Sequence, residues 1–203
     1  VTTGQGDSGD TDVIFLKGIG QKHQGLEIEG SMKLNDMIRL DGAVSFGKWK
    51  FDGDADGLYT EYAEDAPIQT PYTYTLDGLY VGDQPQTAYV LGTTLTPMDG
   101  LRLQGIFKMY DKNYADWSPD SRELSGDADR TQVWQAPGYN RLDLHASYKL
   151  PKIAGYDMTL TGHVFNALDA VYVQDAVDNS QYNGFGDKLH LAHNAEVFLG
   201  TPR

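Results

Sequence analysis

The stretch "DGDADGLYTEYAED", from Asp52 to Asp65, carries six acidic residues and no lysine or arginine. Asp52, Asp54 and Asp56 alternate and are followed by Gly57, matching the D-x-D-x-D-G opening of a calcium loop. Alternate carboxylates can converge on one hard cation where glycines let the backbone curl, and the cation relieves their mutual repulsion. An EF-hand places a glutamate at the twelfth position. That position is Ala63 here, flanked by Glu61 and Glu64, so the match is partial. Asp52, Asp54, Asp56 and Glu61 are the candidate ligands, and calcium is the one cofactor candidate. A solvated acidic loop is the alternative.

Other chemistry is sparser. His190 and His193 in "HLAH" have a spacing found in some metal sites, but on a strand an odd spacing points them to opposite faces. No cysteine, G-x-S-x-G, phosphate loop or H-E-x-x-H is present, so no catalytic constellation is visible and an enzyme is not expected. Tyr110, Tyr114 and Trp117 in "MYDKNYADWSP", with Tyr139 beyond Pro137, could form an aromatic platform for a ligand such as a sugar. An aromatic girdle would use the same residues differently.

The elements that must position these residues are strands. The 203 residues include 23 glycines and 13 tyrosines, which suits an all-β chain with many turns. The net charge of -13 argues against a nucleic-acid partner, because phosphate binding needs a basic stripe. Apolar residues recur at every second position. Leu26, Ile28, Met32 and Leu34 share one parity, as do Ile38, Leu40, Val44 and Phe46. Leu101, Leu103, Phe107 and Met109 follow the same rule, as do Leu142, Leu144, Ala146 and Tyr148. With segments near Tyr89–Leu95, Tyr156–Val164 and Ala195–Leu199, this predicts about seven strands, most of about 10 residues. The first is expected to start as early as Asp12 and to bend at its glycines.

Short connections (Asn35-Asp36, Pro97–Gly100, Pro151–Gly155) alternate with long ones (Asp52–Pro85, Asp111–Pro137, Leu168–Leu189). Short and long links therefore lie at opposite ends of an antiparallel array, as in an outer-membrane barrel. The polar parity, with Arg39, Arg102, Lys108, Arg141 and His145, would face the lumen. There it would line a substrate route, pair with Asp41 and Asp143, or contact whatever fills the lumen. In "TLTGHVF", Leu160, Gly162 and Val164 would face lipid and Thr161 and His163 the lumen. Asn166 and Asp169 would then turn the chain at the membrane surface, bracketed by Phe165 and Tyr172. A soluble β-sandwich ligand-binding module with acidic calcium-binding loops has the same alternation and is the alternative.

Five segments, in order, resemble the barrel of a TonB-dependent outer-membrane receptor, particularly the Bacteroidota type: "HQGLEIEGSMKL", "LGTTLTPMDGLRLQGIFKMYDKNYADWSP", "APGYNRLDLHASYKL", "HVFNALDAVYVQDA" and "AEVFLGTPR". The resemblance covers nearly the whole chain from Asp12. It implies an all-β, antiparallel up-and-down transmembrane barrel, with this chain (residues 1–203) as a C-terminal portion of about seven of a presumed 22 strands. The plug domain and final strand are expected to lie outside it. The implied function is active uptake of a scarce nutrient (siderophore, vitamin or glycan/peptide) in the bacterial cell outer membrane, with energy from TonB. The implied partners are the remainder of the same receptor, the TonB complex through the plug, outer-membrane lipid and a surface lipoprotein, with no nucleic acid. The candidate ligand contacts from the residues themselves are Tyr110, Tyr114, Trp117, Tyr139, Arg102, Arg141 and His145.

Overall fold

The alternating segments do form strands. The structure is a computed structural model that describes residues 2–5, 11–62, 66–122, 130–152, 154–180, 186 and 189–203. In chain order the strands are β1 (Thr2–Gln5), β2 (Thr11–Lys17), β3 (Gln21–Lys33), β4 (Ile38–Phe51), β5 (Ala55–Tyr62), β6 (Pro67–Tyr74), β7 (Thr87–Met98), β8 (Leu101–Asp111), β9 (Asn113–Tyr114), β10 (Gln135–Ala136), β11 (Tyr139–Lys149), β12 (Thr159–Val164), β13 (Val173–Val177) and β14 (Glu196–Leu199). One α-turn, α1 (Pro119–Arg122), lies between β9 and β10.

Six strands pair antiparallel in the order β12-β11-β8-β7-β4-β3, each beside its sequence neighbour in the sheet. The links between β3 and β4, β7 and β8, and β11 and β12 are the short ones. Asn35 closes the first by accepting backbone N–H bonds from Met37 (2.8 Å) and Ile38 (2.9 Å) through its side-chain oxygen. Gly100 turns the second with φ of +80°.

Register makes each face a continuous surface. One row runs Ile28, Val44, Tyr89, Met109; the next runs Gly42, Leu91, Phe107, Leu142; a third runs Met32, Leu40, Thr93, Gly105, Leu144, Val164. The opposite face carries the row Lys33, Arg39, Thr94, Gln104, His145, His163, which crosses all six strands. The apolar face is not buried. Ile28 is 57 % exposed, Leu91 55 % and Leu160 67 %. The buried core lies elsewhere: Phe51, Ala55, Tyr74, Leu76, Leu79 and Val133 cluster among the long connections.

The described strands form an open sheet with two free edges, β12 and β3, and a portion of a barrel has such edges. Several expectations need correction. Six of the seven expected strands join this sheet; the seventh, β14, pairs with β13 instead. Val171 and Val173 supply β-forming residues in a segment expected to be loop, and that segment offers β14 a nearby partner. The sixth strand starts at Thr159, leaving Tyr156 72 % exposed before it. The early start from Asp12 is also divided. β2 ends at Lys17, Gly18 takes φ of +73°, and β3 begins at Gln21. β2 pairs with β5 as β3 pairs with β4, so one long hairpin continues past the glycines. β1 and β6 flank it to complete a four-stranded sheet, so the connection expected as loop is largely sheet.

Gln86 joins this outer assembly to the six-stranded sheet. It is 1 % exposed, accepts the Trp49 N–H (3.0 Å) and donates to the Trp49 carbonyl (3.1 Å), so its amide acts as a strand partner for β4.

Candidate functional site

The polar face of the six-stranded sheet holds two adjoining hollows. One, of about 570 Å³, is lined by Glu29, Ser31, Arg39, Asp41, Arg102 and Gln104. The other, of about 300 Å³, is lined by Arg102, Gln104, His145, Ser147 and His163. β-Pleating places these side chains together because all belong to the same parity of adjacent strands.

Most charges here are paired. Arg39 donates Nε and Nη2 to Asp41 at 2.8 and 2.6 Å. Asp143, 2 % exposed, accepts Lys108 Nζ at 2.9 Å, Arg141 Nη2 at 3.2 Å and the Asn166 N–H at 3.0 Å. Arg141 also donates Nη1 to the Tyr172 hydroxyl at 3.0 Å. Arg102 makes no hydrogen bond or ion pair with any described residue, and it borders both hollows. His145 and His163 face each other with Nδ1···Nδ1 of 2.8 Å. Of the expected ligand contacts on this face, Arg102 and His145 open onto a hollow, while Arg141 braces Asp143 and Tyr172.

The four aromatic candidates separate. Tyr110 and Tyr139 meet at 5.1 Å between ring centroids, and Tyr139 stacks on Tyr172 at 4.2 Å. Tyr114 stacks on Tyr80 at 4.2 Å, with Lys50 Nζ 4.4 Å from the Tyr80 ring. Trp117 packs edge-on to Phe51 and beside Tyr74 in the outer core. Tyr172 is buried, and Phe165 lies on the polar face against His163. Tyr80, Gln104, His163 and Tyr172 were not among the sequence candidates. For Gln104 and His163 the parity that selected Arg102 and His145 is a sufficient signal.

The break after β12 is a turn built by Asn166 and Asp169, both with positive φ (48° and 52°). Asn166 is fully buried; its side chain accepts the Ala170 N–H at 3.0 Å and donates to the carbonyls of Ala170 (2.9 Å) and Thr201 (3.2 Å).

The acidic stretch does not curl into a loop. β5 is extended between β2 and β6, so Asp56 and Glu61 fall on opposite faces. Asp54 is committed elsewhere. It binds Arg130 through both carboxylate oxygens at 3.0 and 2.7 Å and accepts the N–H groups of Leu76 and Asp77 at 3.0 Å each. The hydrogen bonds from Arg130 hold its carboxyl down at about 2. Asp52 lies in the preceding turn and Asp56 accepts the Thr73 hydroxyl at 3.2 Å. Ala63, Glu64 and Asp65 lie outside the described residues. Among the described residues, no group of three or more His, Asp or Glu side chains is placed to hold a metal. His190 and His193 are not on a strand. His190 is buried against Asp178, Arg122 and Asn179, and His193 sits in a 3-10 turn.

A different acidic group joins the outer connections. Asp83, Asp116 and Asp175 come from three separate segments, and Asp83 is hydrogen-bonded to both others. Burial, then the hydrogen bond to Asp175 and the Asp116 charge, push the Asp83 carboxyl up to about 7. Asp116 is also raised, chiefly by burial. A raised carboxyl means the folded state holds a proton that the unfolded chain releases near 3.8. The stabilisation is complete below that value and is lost as pH rises through about 7. Proteolysis of residues 75–86 and 112–118 in the full-length protein should therefore be faster at about pH 8 than at about pH 5.5, and Asp83→Asn should reduce the difference to what Asp116 contributes. Equal cleavage of the unaltered protein at both values would refute the pH dependence of this acidic group.

Comparison with known proteins agrees with the face pattern. A family model described as "TonB dependent receptor-like, beta-barrel" matches residues 1–167. No curated protein and no solved structure matches the chain.

Proposed function

Because the chain belongs to the TonB-dependent receptor β-barrel family, a family of outer-membrane transporters in Gram-negative bacteria, we propose that it is part of the wall of a receptor for a scarce nutrient. The observation that carries this reading is the six-stranded sheet itself. Its apolar face is continuous, exposed and uncovered, while its opposite face holds ion pairs and polar hollows. A soluble protein rarely exposes an apolar patch beyond a few hundred Å². Lipid supplies the missing cover, and the polar face then lines the lumen. The soluble sandwich alternative needs a second sheet on the apolar face, and none of the described residues provides one. The free edges of β3 and β12 carry unpaired backbone groups, which hydrocarbon does not tolerate. Neighbouring strands of the same receptor would satisfy them.

In this reading a plug fills the lumen, TonB acts on the plug, and Arg102 and His145 face the route that the plug exposes. The cargo class is a siderophore, a vitamin or a glycan/peptide, the "NALD" and "YADW" segments are part of the resemblance to the Bacteroidota type, and a surface lipoprotein is a further partner in this reading. The full-length protein should fractionate with the outer membrane and migrate as a heat-modifiable band. A strain lacking it should lose TonB-dependent uptake of one nutrient from a panel of ferric siderophores, cobalamin, glycans and peptides. Recovery in the aqueous phase without heat-modifiable migration would exclude the barrel.

A further inference from the structure

His145 and His163 are direct partners in the β11–β12 register, and both project from the polar face. Their Nδ1 atoms are 2.8 Å apart and their rings cross at 64° with centroids 5.0 Å apart. One Nδ1–H donates to the other Nδ1, so a single proton lies between two nitrogen lone pairs. We propose that this pair is a two-imidazole site for a divalent transition-metal ion such as Zn²⁺, Ni²⁺ or Cu²⁺. Its geometry stands apart from the transport reading.

The spacing is the first argument. Imidazole nitrogens bind these ions at about 2.0–2.1 Å, so two ligands about 90–109° apart at the metal lie about 2.9–3.3 Å from each other. The observed separation is within a few tenths of an ångström of that range, and a small rotation of either ring would aim both lone pairs at one point. The ion replaces the shared proton, and imidazole suits zinc, copper and nickel in preference to calcium or magnesium.

The surroundings are the second argument. The pair opens onto the 300 Å³ hollow, so water or a ligand can fill the remaining coordination positions. Gln104 stands opposite His145 on the other side and offers a neutral carbonyl. Arg102, which has no partner among the described residues, borders the same hollow and would pair with an anion completing the coordination. Phe165 packs on both rings, with centroids 5.7 Å from His145 and 6.0 Å from His163, and restricts their motion. A restrained pair loses less side-chain freedom when the ion binds.

The test uses the tag-free, full-length protein in detergent with Cu²⁺ as the probe. At one equivalent, electron paramagnetic resonance should show copper coupled to two imidazole nitrogens. Copper with one such nitrogen, or none, overturns the site. Zn²⁺ affinity, read by competition with a chromophoric chelator, should fall at least about tenfold in His145→Ala and in His163→Ala, since even an outer-shell partner is worth about that much. Unchanged affinity in both variants also overturns it. His23→Ala, at the far end of β3, should bind as the unaltered protein does, and an equal loss there would show non-specific chelation. The copper spectrum of the unaltered protein decides the question even if a variant folds poorly.

Discussion

Val44→Arg should sharply reduce folding of the full-length receptor into the outer membrane, whereas Ser45→Arg, one residue along the same strand, should not. Val44 lies in the middle of β4 on the apolar face, between Ile28 and Tyr89. An arginine there must enter hydrocarbon, at a cost of about 2–4 kcal/mol near the bilayer midplane. Ser45 points to the polar face, where its hydroxyl donates to Glu27 at 3.4 Å. An arginine there meets water and a carboxylate, and its effect should stay within about 0.5 kcal/mol. The measurement is the heat-modifiable fraction in the outer membrane and the denaturation midpoint in detergent. If the apolar face were an ordinary wet surface, both substitutions would be tolerated alike. Equal folding of the two variants would therefore overturn the assignment of the faces.

Asp143→Ala should cost the most among polar-face substitutions, about 3 kcal/mol, near the low end for removing one member of a buried ion pair. Asp143 receives two cations and the Asn166 N–H while almost fully buried. Lys108 and Arg141 each keep 24 % side-chain exposure, which lets water compensate part of the loss and places the effect at the low end. Asp143→Asn preserves an acceptor for the Asn166 N–H but removes the charge, so it should be milder and should leave the turn at Asn166 intact. Melting of the full-length protein in detergent measures the first effect. Proteolysis across residues 166–172 measures the second, because Arg141 also holds Tyr172 there. Equal stability of the unaltered protein and both variants would show that water or neighbouring strands replace the network.

What the sequence could specify is local. Period-2 alternation depends only on the pleat, so Ile28, Val44, Leu91, Leu103 and Leu144 could be assigned to one face from their parity. Asn35, Gly100 and Asn166 marked turns because positive φ or side-chain bonds to nearby backbone are properties of single residues. The meander of the six-stranded sheet followed from its short links. The division at Gly18–Gly20 was signalled as a bend, but its continuation as a β2–β5 hairpin was not, because that pairing joins residues about forty positions apart.

The tertiary structure decided everything that requires distant segments to meet. The carboxylates at Asp52, Asp54 and Asp56 carry the spacing of a calcium loop, but Arg130 reaches Asp54 from 76 residues away and β2 and β6 pull β5 straight. Tyr110, Tyr114, Trp117 and Tyr139 are close in sequence, yet Tyr80, Tyr172 and Phe51 arrive from other connections to stack on them and split the set. His145 and His163 became a pair only when β11 and β12 took one register out of several that their alternation permits. Parity states which way a side chain points, and that information lies within a few residues of chain. Which side chain it meets depends on register and on the paths of long connections, where the free energy is set by packing between segments that carry no mark of one another.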